Sequence, residues 1–134
     1  MSYKFHHIAI ACFDIEKSIE KFQILGYNRG NIVRDSVQNV DICFLESNDQ
    51  PLLELVSGYT NNSPITEFLN KNGVIPYHLC FLVDNIDDSV NELCNKGYIR
   101  LDRPISAVAL ENRIIVFMYS PDSGLIELVE EMKA

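Results

Sequence analysis

Four polar residues stand where β-strands ought to be apolar. His7 lies in Phe5-His6-His7-Ile8-Ala9-Ile10 and His78 in Tyr77-His78-Leu79-Cys80-Phe81. Glu54 lies in Leu52-Leu53-Glu54-Leu55-Val56 and Glu127 in Leu125-Ile126-Glu127-Leu128-Val129. A carboxylate taken out of water without a partner is costly or takes up a proton, so each Glu requires a cation or a solvated face. Taken singly, a strand Glu is more often solvated or paired with Arg, and a strand His more often a hydrogen-bonded core residue. Taken together, two imidazole nitrogens and two carboxylates could share one divalent cation, and Zn, Ni, Co, Fe and Mn all suit such a mixed set. Four protein ligands on a six-coordinate metal leave two neighbouring positions for two vicinal oxygens, an arrangement suited to an enediolate. His6 has no counterpart at Tyr77 and points to the opposite face of its strand from His7, so it reads as structural.

What binds the four into one pattern is an internal duplication. Residues 7–27, HIAIACFDIEKSIEKFQILGY, lie without gaps over residues 78–98, HLCFLVDNIDDSVNELCNKGY, at an offset of 71. His7 meets His78, Ser18 meets Ser89, Gly26 meets Gly97 and Tyr27 meets Tyr98. Residues 44–56 lie over residues 117–129 at an offset of 73, so that Phe44 meets Phe117 and Glu54 meets Glu127. One length change of two residues reconciles the alignments. The four polar residues therefore obey the same duplication.

Each copy must then position a His near its start and a Glu near its end. In the first, Asp14 predicts an N-cap, Ile15, Ile19 and Phe22 recur at helical spacing, and Gly26 supplies the stop. In the second, Asn85 is the cap, Ile86, Val90 and Leu93 the apolar stripe, and Gly97 the stop. Strand-like stretches follow at about 30–35, 38–46 and 51–57, then at about 98–103, 112–119 and 124–130. The pattern is β-α-β-β-β twice, an α+β chain with module 1 at about 3–57 and module 2 at about 76–130. Between them Ser63-Pro64 predicts a cap and first position of a linker helix at about 63–73, ended by Gly73. Packed as pseudo-symmetric halves of a curved mixed sheet with the helices outside, the first and last strands of each module can bring the four side chains to one concave face.

Composition narrows the class of function. A chain of 134 residues, 47% apolar, can build one compact domain or two half-domains. No apolar run approaches a membrane span, and Met1-Ser2-Tyr3-Lys4-Phe5 lacks the features of a secretory signal, so a cytoplasmic location is expected. The formal charge of −8 and the absence of any Lys/Arg run speak against nucleic acid. Scattered Arg29, Arg34, Arg100, Arg103 and Arg113 could still meet a small anion. Cys12, Cys43, Cys80 and Cys94 form no Cys-x-x-Cys pair and read as small buried hydrophobes.

These residues carry a family resemblance over nearly the whole chain. HHIAIACFDIEKSIEKF, SPITEFLNKNG followed by YHLCFLVDNID, and SPDSGLIELVE resemble the vicinal oxygen chelate superfamily, nearest to methylmalonyl-CoA epimerases and glyoxalase I (lactoylglutathione lyase). The resemblance implies that His7, Glu54, His78 and Glu127 are metal ligands in a homodimeric enzyme. It also implies an acyl thioester or hemithioacetal substrate and proton transfer beside a carbonyl. It marks Glu127 as the first candidate base, a ligand that loosens on substrate binding, and Asp41 as the second, from an acidic position of some epimerases. Ser63-Pro64-Ile65 with Phe68-Leu69 resembles the epimerase branch. Epimerases usually carry a glycine-containing loop where this chain has Ala107-Val108-Ala109-Leu110-Glu111-Asn112-Arg113, a departure that bears on acyl group and carrier. Extradiol dioxygenases share the fold but use two His and one carboxylate. Drug-sequestering relatives, the non-catalytic alternative, have lost the metal positions, all four of which are filled here.

Overall fold

The structure, a computed structural model, describes residues 2–132. They form two compact units, one running from His7 to Tyr77 and one joining the residues up to His6 with those from His78 onward. The fold is α+β, with mixed parallel and antiparallel strand pairing. Among the described residues no helix is long and apolar enough to cross a membrane.

The His7–Tyr77 unit holds most of β1 (Lys4–Ala11), then α1 (Ile15–Ile24), β2 (Asn28–Asp35), β3 (Val40–Ser47), β4 (Gln50–Gly58) and α2 (Pro64–Asn72). Its strands lie in the order β2-β3-β4-β1. β2, β3 and β4 are antiparallel neighbours, whereas β1 runs parallel to β4 with Ala9 opposite Glu54. The module thus closes on itself, first strand beside last. The Asp14 side chain accepts from the Lys17 N–H at 3.2 Å, satisfying one of the donors a helix start leaves open. Ile19 is buried against Ile10, Cys43, Leu45 and Leu55, with Ile15 and Phe22 packed at the margin. Gly26 takes a positive φ of 99°, which ends the helix where a side chain would be strained.

The second unit repeats the scheme with β5 (Pro76–Val83), α3 (Ile86–Cys94), β6 (Ile99–Arg100), β7 (Ile105–Ala107), β8 (Arg113–Ser120) and β9 (Gly124–Glu130). The order is β5-β9-β8-β6, with β7 also on β8. β5 and β9 are parallel, with Cys80 opposite Glu127. The Asn85 side chain accepts from the Asp88 N–H at 3.0 Å, Gly97 has φ 97°, and Val83, Ile86, Val116, Met118 and Leu128 form the core under α3. Residues from the start of β1 belong to this unit: the Tyr3 hydroxyl donates to Glu92, Lys4 pairs with Glu131 at 3.4 Å, and Phe5 meets Phe81 edge-on at 6.0 Å.

Two expectations are modified. The stretch 98–103 forms only the two-residue β6, because Leu101 makes the last bond to β8, through the Phe117 carbonyl. The Asp102 carboxylate then captures the Arg103 N–H at 2.7 Å, and Pro104 has no N–H to give a ladder. The chain resumes as β7 and turns through a 3-10 helix at Val108–Leu110, after which Glu111 and Asn112 both adopt left-handed φ near 60°. Ser63 does precede α2 with Pro64 at its first position, but its hydroxyl makes no capping bond.

Candidate metal centre

Each module brings its own His and Glu together. On β1 and β4, His7 Nε2 lies 3.3 Å from Glu54 Oε1; on β5 and β9, His78 Nε2 lies 3.1 Å from Glu127 Oε1. All four residues are buried. The cause is local: parallel pairing of first and last strands sets Glu54 beside Ala9, two residues along from His7, and Glu127 beside Cys80, two residues along from His78. Alternation keeps residues two apart on one face, so His and Glu share it.

The aromatic partners repeat as well. Phe44 is opposite Glu54 on β3, and its ring meets His7 edge-on at 5.3 Å between centroids and 80° between planes. Phe117 is opposite Glu127 on β8 and meets His78 at 5.2 Å and 76°. The duplication is therefore kept to the level of ring orientation. The duplication in the sequence sets Phe44 over Phe117, and nothing in the sequence gives either a role.

The donor set fits a divalent cation. Ligands about 2.0–2.2 Å from a metal in tetrahedral or octahedral array are separated from one another by roughly 2.8–3.6 Å. The two His–Glu separations fall in that range, and His78 Nε2 with Glu127 Oε1 at 3.1 Å is also within hydrogen-bond distance. Imidazole and carboxylate together are what Zn, Ni, Co, Fe or Mn would take.

Asp41 is placed differently. The register between β3 and β4 is unbroken from Asp41 to Leu45, so Asp41 shares a face with Cys43 and Leu45, which lie in the core that α1 covers. Phe44 and Glu54 point to the other face. Both Asp41 oxygens are held by Arg34, at 2.9 and 3.1 Å, and the Arg34 guanidinium stacks 3.8 Å over the Tyr59 ring. The pairing raises the Arg34 pKa above its ordinary value, the hydrogen bond to Asp41 being the largest cause. His6 is half-buried and its sequence neighbour His7 fully so.

No curated protein matches the sequence. A hypothetical protein from Bacillus halodurans superposes with a TM-score of 0.87 at 24% identity, over 100% of this chain and 98% of its own. Methylmalonyl-CoA epimerase from Mycobacterium tuberculosis gives 0.85 at 24%, over 97% and 89%. A variant of the Streptomyces coelicolor methylmalonyl-CoA epimerase in complex with 2-nitronate-propionyl-CoA gives 0.84 at 24%, over 99% and 98%. At these identities the likeness establishes the fold. Residues 6–117 match the family described as the Glyoxalase/Bleomycin resistance protein/Dioxygenase superfamily, a segment that contains His7, Glu54 and His78 and stops short of Glu127. The chain belongs to that superfamily, the vicinal oxygen chelate proteins.

Proposed function

We propose that the two His–Glu pairs hold one divalent metal ion between them and that the chain is an enzyme moving a proton at the carbon next to a carbonyl, in the manner of a methylmalonyl-CoA epimerase. The observation that carries this is the repeated buried pair, His7 with Glu54 and His78 with Glu127. A buried imidazole–carboxylate pair occurring once is an ordinary core interaction; recurring at duplicated positions with the same aromatic neighbour, it is the kind of donor set a shared cation requires. Structural neighbours that bind a propionyl-CoA analogue support an acyl thioester as the substrate class.

A divalent cation held by His7, Glu54, His78 and Glu127 would supply positive charge to stabilise an oxyanion formed from the substrate carbonyl. The chain's own contribution is proton transfer. Glu127, as the carboxylate, takes the proton from the carbon beside the carbonyl, the C–H electron pair becomes a C=C bond while the carbonyl π pair moves onto oxygen, and the proton returns to that carbon or its neighbour as a carbonyl re-forms. Epimerisation requires that a proton reach the opposite face of the same carbon, from a second acid on that face or after the intermediate turns over against Glu127. Glu127 is assigned this role over Asp41, which is tied to Arg34 on the other face of its sheet. Burial of the four ligands excludes bulk water from the reacting atoms.

The test is exchange of the substrate α-proton with deuterium, followed together with metal content. The wild-type chain is expected to hold about one metal per chain and to exchange in a metal-dependent way. Glu127→Gln is expected to lower exchange by about 10²-fold or more; unchanged exchange would remove it as base. If Glu54→Ala left the metal content intact, the four-ligand site would be wrong. Parallel assay of methylmalonyl-CoA and of the hemithioacetal of methylglyoxal and glutathione separates epimerase from glyoxalase I activity.

A further inference from the structure

We infer that Phe44 and Phe117 are positioning residues, each holding one histidine of the centre in the orientation its neighbouring carboxylate requires. The inference rests on the reading above that these histidines are metal ligands. β1 and β3 are not neighbours; both flank β4, so their backbones are separated by two strand spacings, about 9.6 Å. Ring centroids of His7 and Phe44 only 5.3 Å apart mean that the two side chains lean toward each other over β4, on the face that carries Glu54. The second unit does the same, Phe117 on β8 reaching across β9 to His78 on the face of Glu127. A side chain in a sheet ordinarily stands above its own strand. Two independent departures of the same kind, at duplicated positions with interplanar angles of 80° and 76°, point to a shared requirement rather than to incidental packing.

The requirement is control of imidazole rotation. The first torsion of a histidine is confined by its strand, but the second, about the bond to the ring, is broad and decides where Nε2 points. A phenyl ring set edge-on against the imidazole blocks that rotation, and it covers the Glu beside it from one side. Ligand orientation in metal sites is usually fixed by groups that do not touch the metal, and losing such a group typically costs 10–100-fold in metal affinity. Neither Phe touches the reacting atoms, so both act through the histidines.

The experiment compares wild type with Phe44→Leu, Phe117→Leu and the ring-preserving Phe44→Tyr and Phe117→Tyr. Zinc affinity is measured by chelator competition, and motion of the two imidazoles is measured by carbon-13 relaxation in the metal-free chain. Each Leu variant is expected to bind zinc about 10-fold more weakly and to mobilise only its own histidine, His7 for Phe44 and His78 for Phe117. The Tyr variants are expected to restore both readouts. Leu variants with wild-type affinity and rigid imidazoles would overturn the inference, as would Tyr variants no better than Leu. If the wild-type chain bound no divalent metal, the metal reading would fall by itself, while imidazole motion would still decide whether the rings position the histidines. A Leu variant that failed to fold is replaced by Phe→Met at the same position, read in the same way.

Discussion

At the scale of single residues, burial decides chemistry more than residue type does. Four cysteines share one thiol chemistry, yet Cys12 and Cys43 are fully buried and burial is the main cause that pushes both thiols up, Cys12 to about 11. A thiol reacts as the thiolate, so neither is a nucleophile at neutral pH. Cys94, at the end of α3, is exposed. A thiol-alkylating reagent at pH 8 is expected to modify the native chain once, at Cys94, and all four positions after denaturation, as intact mass would show; native modification of Cys12 would contradict its placement. The two His–Glu pairs were legible in the sequence for a related reason. A His or Glu inside an apolar run stands out, and the duplication told the paired ones from accidents. The ring contacts of Phe44 and Phe117 were not legible, because a phenylalanine in a strand is what a strand is expected to contain. The side of the sheet that Asp41 occupies follows from its register with β4, which no local pattern supplies.

At the scale of elements, what the sequence revealed was whatever is set locally. Both outer helices begin at the caps their sequences imply, Asp14 and Asn85, and end before Gly26 and Gly97. The segment after Gly97 was the exception, since its β-branched and apolar residues suggest one strand while Pro104 and the Asp102 turn divide it. The turn that follows is costly for its residue types. Asn112 tolerates a left-handed backbone, but Glu111 at φ 61° carries a strain of about 1 kcal/mol that glycine would not. Glu111→Gly is therefore expected to raise stability by about 0.5 kcal/mol after the greater freedom of glycine in the unfolded chain is counted, measured by urea denaturation. A loss of stability would mean that the Glu111 side chain holds the turn in place.

At the scale of the whole chain, a side-chain hydrogen bond joins Tyr3 to Glu92, 89 residues apart. Burial, followed by the bond to Glu92, pushes the Tyr3 hydroxyl up to about 12, and the bond holds the Glu92 carboxyl below its ordinary value. The two shifts fix the pH behaviour. A depressed carboxyl contributes stability at pH above its unfolded value and loses it as pH falls through the folded value; a raised hydroxyl contributes below pH 10 and loses it toward 12. Tyr3→Phe is thus expected to lower the melting temperature at pH 7 and to approach the wild type at pH 3. An equal deficit at both pH values would show that the hydroxyl contributes nothing through Glu92.

That contact also bears on how the protein is made. Synthesis delivers Tyr3, Lys4 and Phe5 long before α3 and β9, the elements they pack against, while everything from His7 to Tyr77 can close as soon as it is outside the ribosome. The opening residues of β1 must wait for the last-made half of the polypeptide.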